Sequence, residues 1–452
     1  MPPIRFFNFI INIINRLFQT NIRLLPPPPE QQSSDFTTPT RNVPESKLTS
    51  ESRFTTTKIV SPSDADTRGF VFGGVVLGWI DQAAGTSAKK HAVFPCVTRS
   101  VDAVHFMQPI KVGDFLIIQA SVNRSWNTSM EVGVRVETEN PITGKRKYCC
   151  HAYLTFVALN PGDKTALGRF RYNNSPAKVS QLVPSTTIEM ARYELAETRR
   201  QSRISQSKNM DEKGRIEKTK LAELRELMRE WSKNKNTEMM SDAEIPPLLP
   251  DLDNDNEAKG KDPAKLLLRR RSTLQGTLPL QPDDKLTLES FAEIVETVMP
   301  QNANTLQITF GGQIMKWMEQ CSIVSASRHS RRFLLLASID SLQFLRPTYV
   351  GDSIIVRSLV TCTFHSSLEV YVCVEAENLF TGESYFTNDG FYTMVAVDFN
   401  NSPTVIPCII PDREQEVDIH NGAEARRKRR LQQRRELIQK EMSTHPQEFN
   451  DE

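Results

Sequence analysis

At 452 residues the chain is long enough for two or three domains, each able to bury its own core. Only 38% of it is hydrophobic, which is low for one compact body, while 24% is charged and 27 residues are proline, a mix that predicts folded parts alternating with solvated ones. The 56 basic residues nearly balance the 54 acidic ones, so the global charge nominates no polyanionic partner and no nucleic acid is expected. No segment approaches the roughly 18 apolar residues that a membrane-spanning helix needs.

In chain order, the first stretch is "MPPIRFFNFIINIINRLFQTNIRLLPPPP", which carries Arg5, Arg16 and Arg23 but no acid. Its polar positions follow helical spacing and it ends in a proline break. That pattern predicts a mitochondrial transit segment within residues 1–50, leading to the matrix. A short membrane-surface anchor on a cytoplasmic protein is the alternative.

Residues 51–165 read as a folded domain. A loop containing "SDADT" leads into "GFVFGGVVLGWIDQAAG", a glycine-started helix of about 18 residues whose apolar stripe runs through Leu77, Ile80, Ala84 and Ala88. Asp81 falls inside that stripe. An ionised carboxylate there costs several kcal/mol unless donors wait for it or chemistry uses it. His91 ends the helix, where an imidazole beside the last carbonyls reads as a cap. Strand-like runs follow: "CVTRSVDAVHF", "FLIIQASVN", "SMEVGVRVETEN" and "KYCCHAYLTFVAL", with "NPITGK" as the hairpin turn between the last two. One helix and a run of antiparallel strands predict a curved sheet wrapped around the helix, with its other face wet.

Residues 166–285 change character and read as a charged, partly helical and partly disordered linker, the latter at "DLDNDNEAKGKDPAK". Within it, "RRRST" places basic residues ahead of Ser272 and Thr273, as basophilic kinases prefer. A second folded domain is expected over 286–400. The tail, 401–452, ends in the basic, helix-prone "ARRKRRLQQRRELIQKEM", which suits nucleic acid, acidic lipid or a nuclear address and is explained about as well as a solvated face.

The two folded segments are copies of one another. A single offset of 238, as from Pro62 to Pro300, aligns Pro62–Ala158 with the second half without insertion or deletion. Phe72-Gly73-Gly74 meets Phe310-Gly311-Gly312, Trp79 meets Trp317, His91 meets His329, Asp102 meets Asp340, and "SMEV" meets "SLEV". The fold class is therefore α+β, duplicated.

Other chemistries find no support. The seven cysteines include no CxxC, which fits a reducing compartment and neither a disulfide framework nor structural zinc; no metal or other cofactor is expected. There is no GxxxxGK[ST], GxSxG or HExxH, which removes phosphate loops, nucleophile-elbow hydrolases and zincins.

The segment from Pro62 to Gly85, with "VTRSVDAVHFMQPIKVGD" and "TSMEV" after it, resembles the hotdog domain of acyl-CoA thioesterases; "PQNANTLQITFGGQIMKWMEQ" with "ASIDSLQFLRPTYVGD" resembles a second one. Two in one chain are similar to the tandem-hotdog acyl-CoA thioesterases. The resemblance implies two curved sheets joined edge to edge, acyl-CoA as substrate, and active sites at the domain interface. Each site would pair an asparagine in the loop before one helix with an acid on the other helix. Here the loop positions are Asp66 and Asn304, and the acids are Asp81 and Glu319.

Asn304 with Asp81 offers an amide beside a carboxylate base. Asp66 with Glu319 would bring two carboxylates together, one of them holding a proton, which marks that site as degenerate. The expected reaction is hydrolysis, with Asp81 activating water or attacking to form an anhydride. Backbone N–H groups of Gly311 and Gly312, or else of Gly73 and Gly74, would hold the oxyanion. Arg99, Lys111 and Arg346 are the candidates for the phosphates of coenzyme A. Hotdog hydratases place a histidine near the helix start, and neither copy has one. The resemblance further implies a homo-oligomer, a trimer of double hotdogs. A non-catalytic acyl-CoA-binding scaffold on the same fold is the competing expectation.

Overall fold

The computed structural model describes residues 43–162, 174–208, 212–240 and 284–444. The proposed transit segment, the "DLDNDNE" stretch, Ser272 and Thr273 lie outside them.

Each copy opens with a strand and then its glycine-started helix. In the first copy these are β1 (Phe54–Ile59) and α1 (Gly73–Ala92), followed by β2 (Cys96–Val101), β3 (Phe115–Ser125), β4 (Ser129–Glu139) and β5 (Arg146–Asn160). After it come two further helices, α2 (Thr187–Lys208) and α3 (Glu212–Met240). The second copy repeats the plan with β6 (Ala292–Thr297), α4 (Gly311–Ser330), β7 (Phe333–Ile339), β8 (Asp352–Thr363), β9 (Ser367–Asn378) and β10 (Ser384–Val397), and ends in α5 (Glu414–Thr444).

The sheets are antiparallel, in the order β2-β5-β4-β3-β1 and β7-β10-β9-β8-β6. Strong alternation along "MEVGVRV" puts Met130, Val132, Val134 and Val136 on the face that packs against α1. Register shifts bend both sheets at equivalent points: Val122/Arg124 with Val360/Cys362, and Val136/Glu137 with Val374/Glu375. These are two hotdog domains, each a sheet curled around one helix. They are stitched edge to edge by exchange. Val104–His105 of the first copy pairs with Ser338–Ile339 of β7, and Leu342–Gln343 of the second pairs with Ser100–Val101 of β2. The exchange brings α1 against α4.

The outer faces are not wet throughout. Glu131 on β4 is fully buried there because α2 brings Arg199 to 2.5 Å and Arg203 to 3.3 Å, with Arg203 also 2.9 Å from Asp102. On the other sheet Glu369 is equally buried beneath α5, which supplies Arg426 at 2.8 Å and Arg430 at 2.6 Å, the latter also reaching Asp340. Two arginines of the basic tail are thus buried partners rather than part of a solvated face. Removing one member of such a pair typically costs about 3–5 kcal/mol, because it strands the other charge.

The duplication therefore runs further than the constant offset revealed. Beyond β5 the match resumes at an offset of 227, as from Arg199 to Arg426. Glu189 takes the N–H groups of Ser185 and Thr186 at the head of α2, as Glu416 takes those of Asp412 and Arg413 at the head of α5. The histidines belong to the same frame. His91 and His329 do not cap their own helices; Nε2 of each meets the carbonyl of Ser180 or Pro407, 2.9 and 2.8 Å away. Capping falls to Lys47, on the carbonyls of Lys90 and His91, and to Lys285, on those of Arg328 and His329.

Candidate active site

The helix pair sets each acid against the other helix's first turn. Asp81 lies in the third turn of α1 and is 2% exposed. Its Oδ2 accepts the N–H of Gly312, 2.9 Å away at the start of α4, and its Oδ1 accepts the hydroxyl of Thr98 on β2 at 2.7 Å. A helix N-terminus is where an anion is best received. Glycine is required for the approach: a Cβ on Gly312 would sit 2.8 Å from both the Asp81 Cβ and the Gly78 Cα. Burial raises the Asp81 pKa, while the Gly312 and Thr98 hydrogen bonds and the charge of Lys89 pull it back down. The result is a carboxylate with more affinity for a proton than an exposed one.

Asn304 stands in the loop before α4. Its Oδ1 accepts the N–H groups of Leu306 and Ile308 at 2.9 and 3.1 Å, so the amide presents its NH2 end to the space beyond. The loop is tight enough that Gln307 sits at φ 60°, where the first copy has Gly69 at φ 81°. Asn304 and Asp81 face one cavity of about 280 Å³ between the domains, which Gly85, Thr98, Phe156 and Phe310 also line. The structure brings together the pair expected from the sequence.

The counterpart site differs at every position that matters. Asp66 repeats the loop geometry, with Oδ1 on the N–H groups of Arg68 and Phe70, but its Oδ2 is held 2.9 Å from the Arg68 guanidinium. Asp66 and Glu319 make no hydrogen bond to one another among the described residues. Glu319 is instead pushed up to about 7 by burial, against the opposing hydrogen bonds of Gly74 and Gly73. Its longer side chain reaches both amides, Gly73 at 2.8 Å and Gly74 at 2.5 Å, so neither is available to an oxyanion. The shorter Asp81 engages only Gly312 of the equivalent pair, and the N–H of Gly311 makes no hydrogen bond among the described residues.

Thr98 was not singled out from the sequence, although a signal existed: its counterpart is Leu336, an apolar side chain packed against Gly73 where a hydroxyl would otherwise meet the acid. The three candidate cations lie elsewhere. Arg99 bonds the carbonyls of Phe344 and Leu345, Lys111 lies over the Phe70 ring at 5.8 Å beside the Asp66 loop, and Arg346 lies over Tyr385 at 5.6 Å. None of them lines the cavity; Lys89 does.

Because Glu319 holds its proton to about 7 when folded, against 4.5 as an ordinary glutamate, the folded state binds more protons between those values. Stability contributed by this group is therefore lost as pH rises from about 4.5 to about 7, by on the order of 3 kcal/mol. Thermal melts of wild type and Glu319→Gln across that range should diverge, with wild type falling relative to the variant. Parallel melting curves would remove the buried-acid assignment.

An acid from one hotdog helix, received by the first turn of the other and facing an asparagine across an interdomain cavity, defines a fused double-hotdog protein with one open site and one closed one. The chain belongs to the thioesterase superfamily, whose family model matches residues 68–145 and 306–379. It is 36% identical over 154 residues to an uncharacterised acyl-CoA thioester hydrolase of Bacillus subtilis (strain 168), covering 34% of this chain and 90% of that one. It is 31% identical over 376 residues to acyl-coenzyme A thioesterase 11 of Mus musculus, covering 83% of this chain and 52% of the relative. A mouse acetyl-coenzyme A thioesterase is 30% identical over 375 residues, with coverages of 82% and 56%. The chain spans about half the length of these mouse relatives.

Proposed function

We propose that the chain hydrolyses acyl-CoA thioesters to free acid and coenzyme A, at the Asp81–Asn304 site alone. The observation that supports this most directly is the placement of a buried, donor-held carboxylate and an oriented amide on one interdomain cavity.

A thioester carbonyl is electrophilic and its thiolate leaves readily, so a water activated by a carboxylate suffices without a serine or cysteine nucleophile. The Asp81 oxygens each keep a lone pair beyond those given to Gly312 and Thr98. Asp81 takes the proton as the water oxygen bonds to the carbonyl carbon. The tetrahedral oxyanion then collapses, the C–S bond breaks, and the thiolate recovers the proton. Gly311 and the Asn304 amide are the donors free to meet that oxyanion. The acyl chain runs past Gly85 between α1 and β5, and Lys89 meets the anionic part of coenzyme A at the cavity.

The test is thiol release from short, medium and long acyl-CoAs by the full chain. Turnover that Glu319→Gln leaves within about threefold of wild type, and that Asn304→Ala lowers by about 10²-fold or more, fits one working site. Binding of acyl-CoA without turnover would replace this reading with the scaffold.

A further inference from the structure

Helix α1 brings two rows of side chains to the interdomain cavity. Asp81 and Gly85, one turn apart, form the inner row. Gln82, Thr86 and Lys89 form an outer row that lines the same cavity and runs about 10 Å along the helix. Gln82 is exposed, while Thr86 and Lys89 are half-buried. Neither the Gln82 carboxamide nor the Lys89 ammonium makes a hydrogen bond or ion pair among the described residues. The Thr86 hydroxyl donates to the backbone carbonyl of Gln82 at 2.8 Å, which leaves its lone pairs for an N–H.

The duplication again supplies the contrast. On α4 the same row reads Gln320, Val324 and Ser327, so the hydroxyl and the cation occur only beside the Asp81–Asn304 pair. Among the described residues Lys89 is the one cation that lines this cavity. A coenzyme A thioester presents, outward from its sulfur, two amides, a hydroxyl and a first phosphate, and only then the adenosine half with its further phosphates. The outer row follows that order through carboxamide, hydroxyl and ammonium, and it ends where the first phosphate would lie.

We propose, resting on the hydrolase reading of the same site, that the chain also hydrolyses acyl thioesters of phosphopantetheine that lack the adenosine half of coenzyme A. Gln82 holds the first amide of the arm, Thr86 accepts the N–H of the second, and Lys89 pairs with the phosphate. These remote contacts orient the thioester over Asp81, and the outer row has none left for adenosine. Water adds to the carbonyl carbon as Asp81 takes its proton, the C–S bond breaks, and phosphopantetheine leaves as the thiol with that proton. The same arm exists as a free ester and tethered to a carrier protein.

The experiment is thiol release by the full chain from one acyl group, octanoyl, carried on coenzyme A, on phosphopantetheine and on pantetheine. The phosphopantetheine ester should match the coenzyme A ester in kcat/KM within about fivefold, and the pantetheine ester should fall at least about tenfold below both. Lys89→Ser, which installs the residue of the second copy, should lower kcat/KM of the two phosphate-bearing esters about tenfold, chiefly through KM, and that of the pantetheine ester by less than about twofold. Lys89→Arg should keep most of the wild-type value. Thr86→Val, again the residue of the second copy, should lower all three esters alike, by about threefold to tenfold. An octanoyl-charged acyl carrier protein separates the two sources of the arm: hydrolysis assigns tethered arms to the site, and refusal confines the activity to the free ester. A phosphopantetheine ester slower than the coenzyme A ester by more than about fivefold, or a Lys89→Ser loss equal for all three esters, overturns the proposal and leaves the hydrolase reading standing. No thiol release from any of them removes the hydrolase reading and this one with it.

Discussion

Asp81→Asn is expected to lower kcat for acyl-CoA hydrolysis by about 10²- to 10⁴-fold, the usual worth of a positioned base, with melting temperature changed by only a few degrees. The asparagine has the shape of the aspartate and removes a charge whose burial is costly. Its carbonyl oxygen can still accept from Thr98 or from Gly312, so one of the two hydrogen bonds survives and the helix junction is kept. What it cannot do is take a proton from water or attack a carbonyl carbon. Both forms of the mechanism therefore lose turnover together. Thiol-release kinetics beside a melting curve separate this result from unfolding, and a variant with near wild-type kcat would sink the assignment. Since burial raises the Asp81 pKa, the acid limb of the wild-type pH–rate profile should lie above the ordinary carboxylate range. Activity is lost as pH falls through that limb, because protonated Asp81 is no longer a base.

Much of this site was legible before any coordinates. Duplication made each residue its own control: Asp81 against Glu319 and Asn304 against Asp66 already separated a plausible site from a doubtful one. The reason for the doubt was legible only in part. Arg68 sits two residues from Asp66 and neutralises it, a local pairing that a cross-domain argument overlooks. Glycine at the helix starts points to amides for an oxyanion, but which amides remain available depends on side-chain reach. One extra methylene lets Glu319 take both Gly73 and Gly74, while Asp81 takes one of its pair. The outer helices are the least legible elements of the fold. A charged, helix-prone segment looks like a solvated linker unless its arginines can be matched to buried acids, and the change of offset after β5 hid the match of Arg199 and Arg203 with Arg426 and Arg430. His91 and His329 show the same limit, since their partners lie 89 and 78 residues downstream.

Gly85→Ile is expected to abolish hydrolysis of long acyl-CoAs while sparing the shortest. In the first copy Gly85 leaves the flank of α1 open beside Phe156, and a Cβ there would already be 3.6 Å from the Phe156 ring. The second copy shows what closure looks like. Ile323 replaces Gly85, Val324 replaces Thr86, and Leu334, Leu335 and Leu336 replace Cys96, Val97 and Thr98. Ile323, Leu334 and Leu336 are packed against the core there, filling with side chains the space that the first copy keeps as a cavity. An isoleucine at 85 would stand in that cavity one helical turn beyond Asp81, whose carboxylate is held by Thr98 and the Gly312 amide and not by residue 85, so the reacting groups keep their anchors. An acyl chain that must pass it loses its apolar contacts and meets an immovable branch, at about 1–3 kcal/mol per displaced methylene. Over several methylenes that amounts to at least about 10²-fold in kcat/KM for long chains, whereas acetyl- and propionyl-CoA should stay within about threefold of wild type. A parallel fall for every chain length would place the acyl path elsewhere, and Gly85→Ala, which adds only a Cβ at ordinary contact distance, should shift the preference in the same direction by a smaller step.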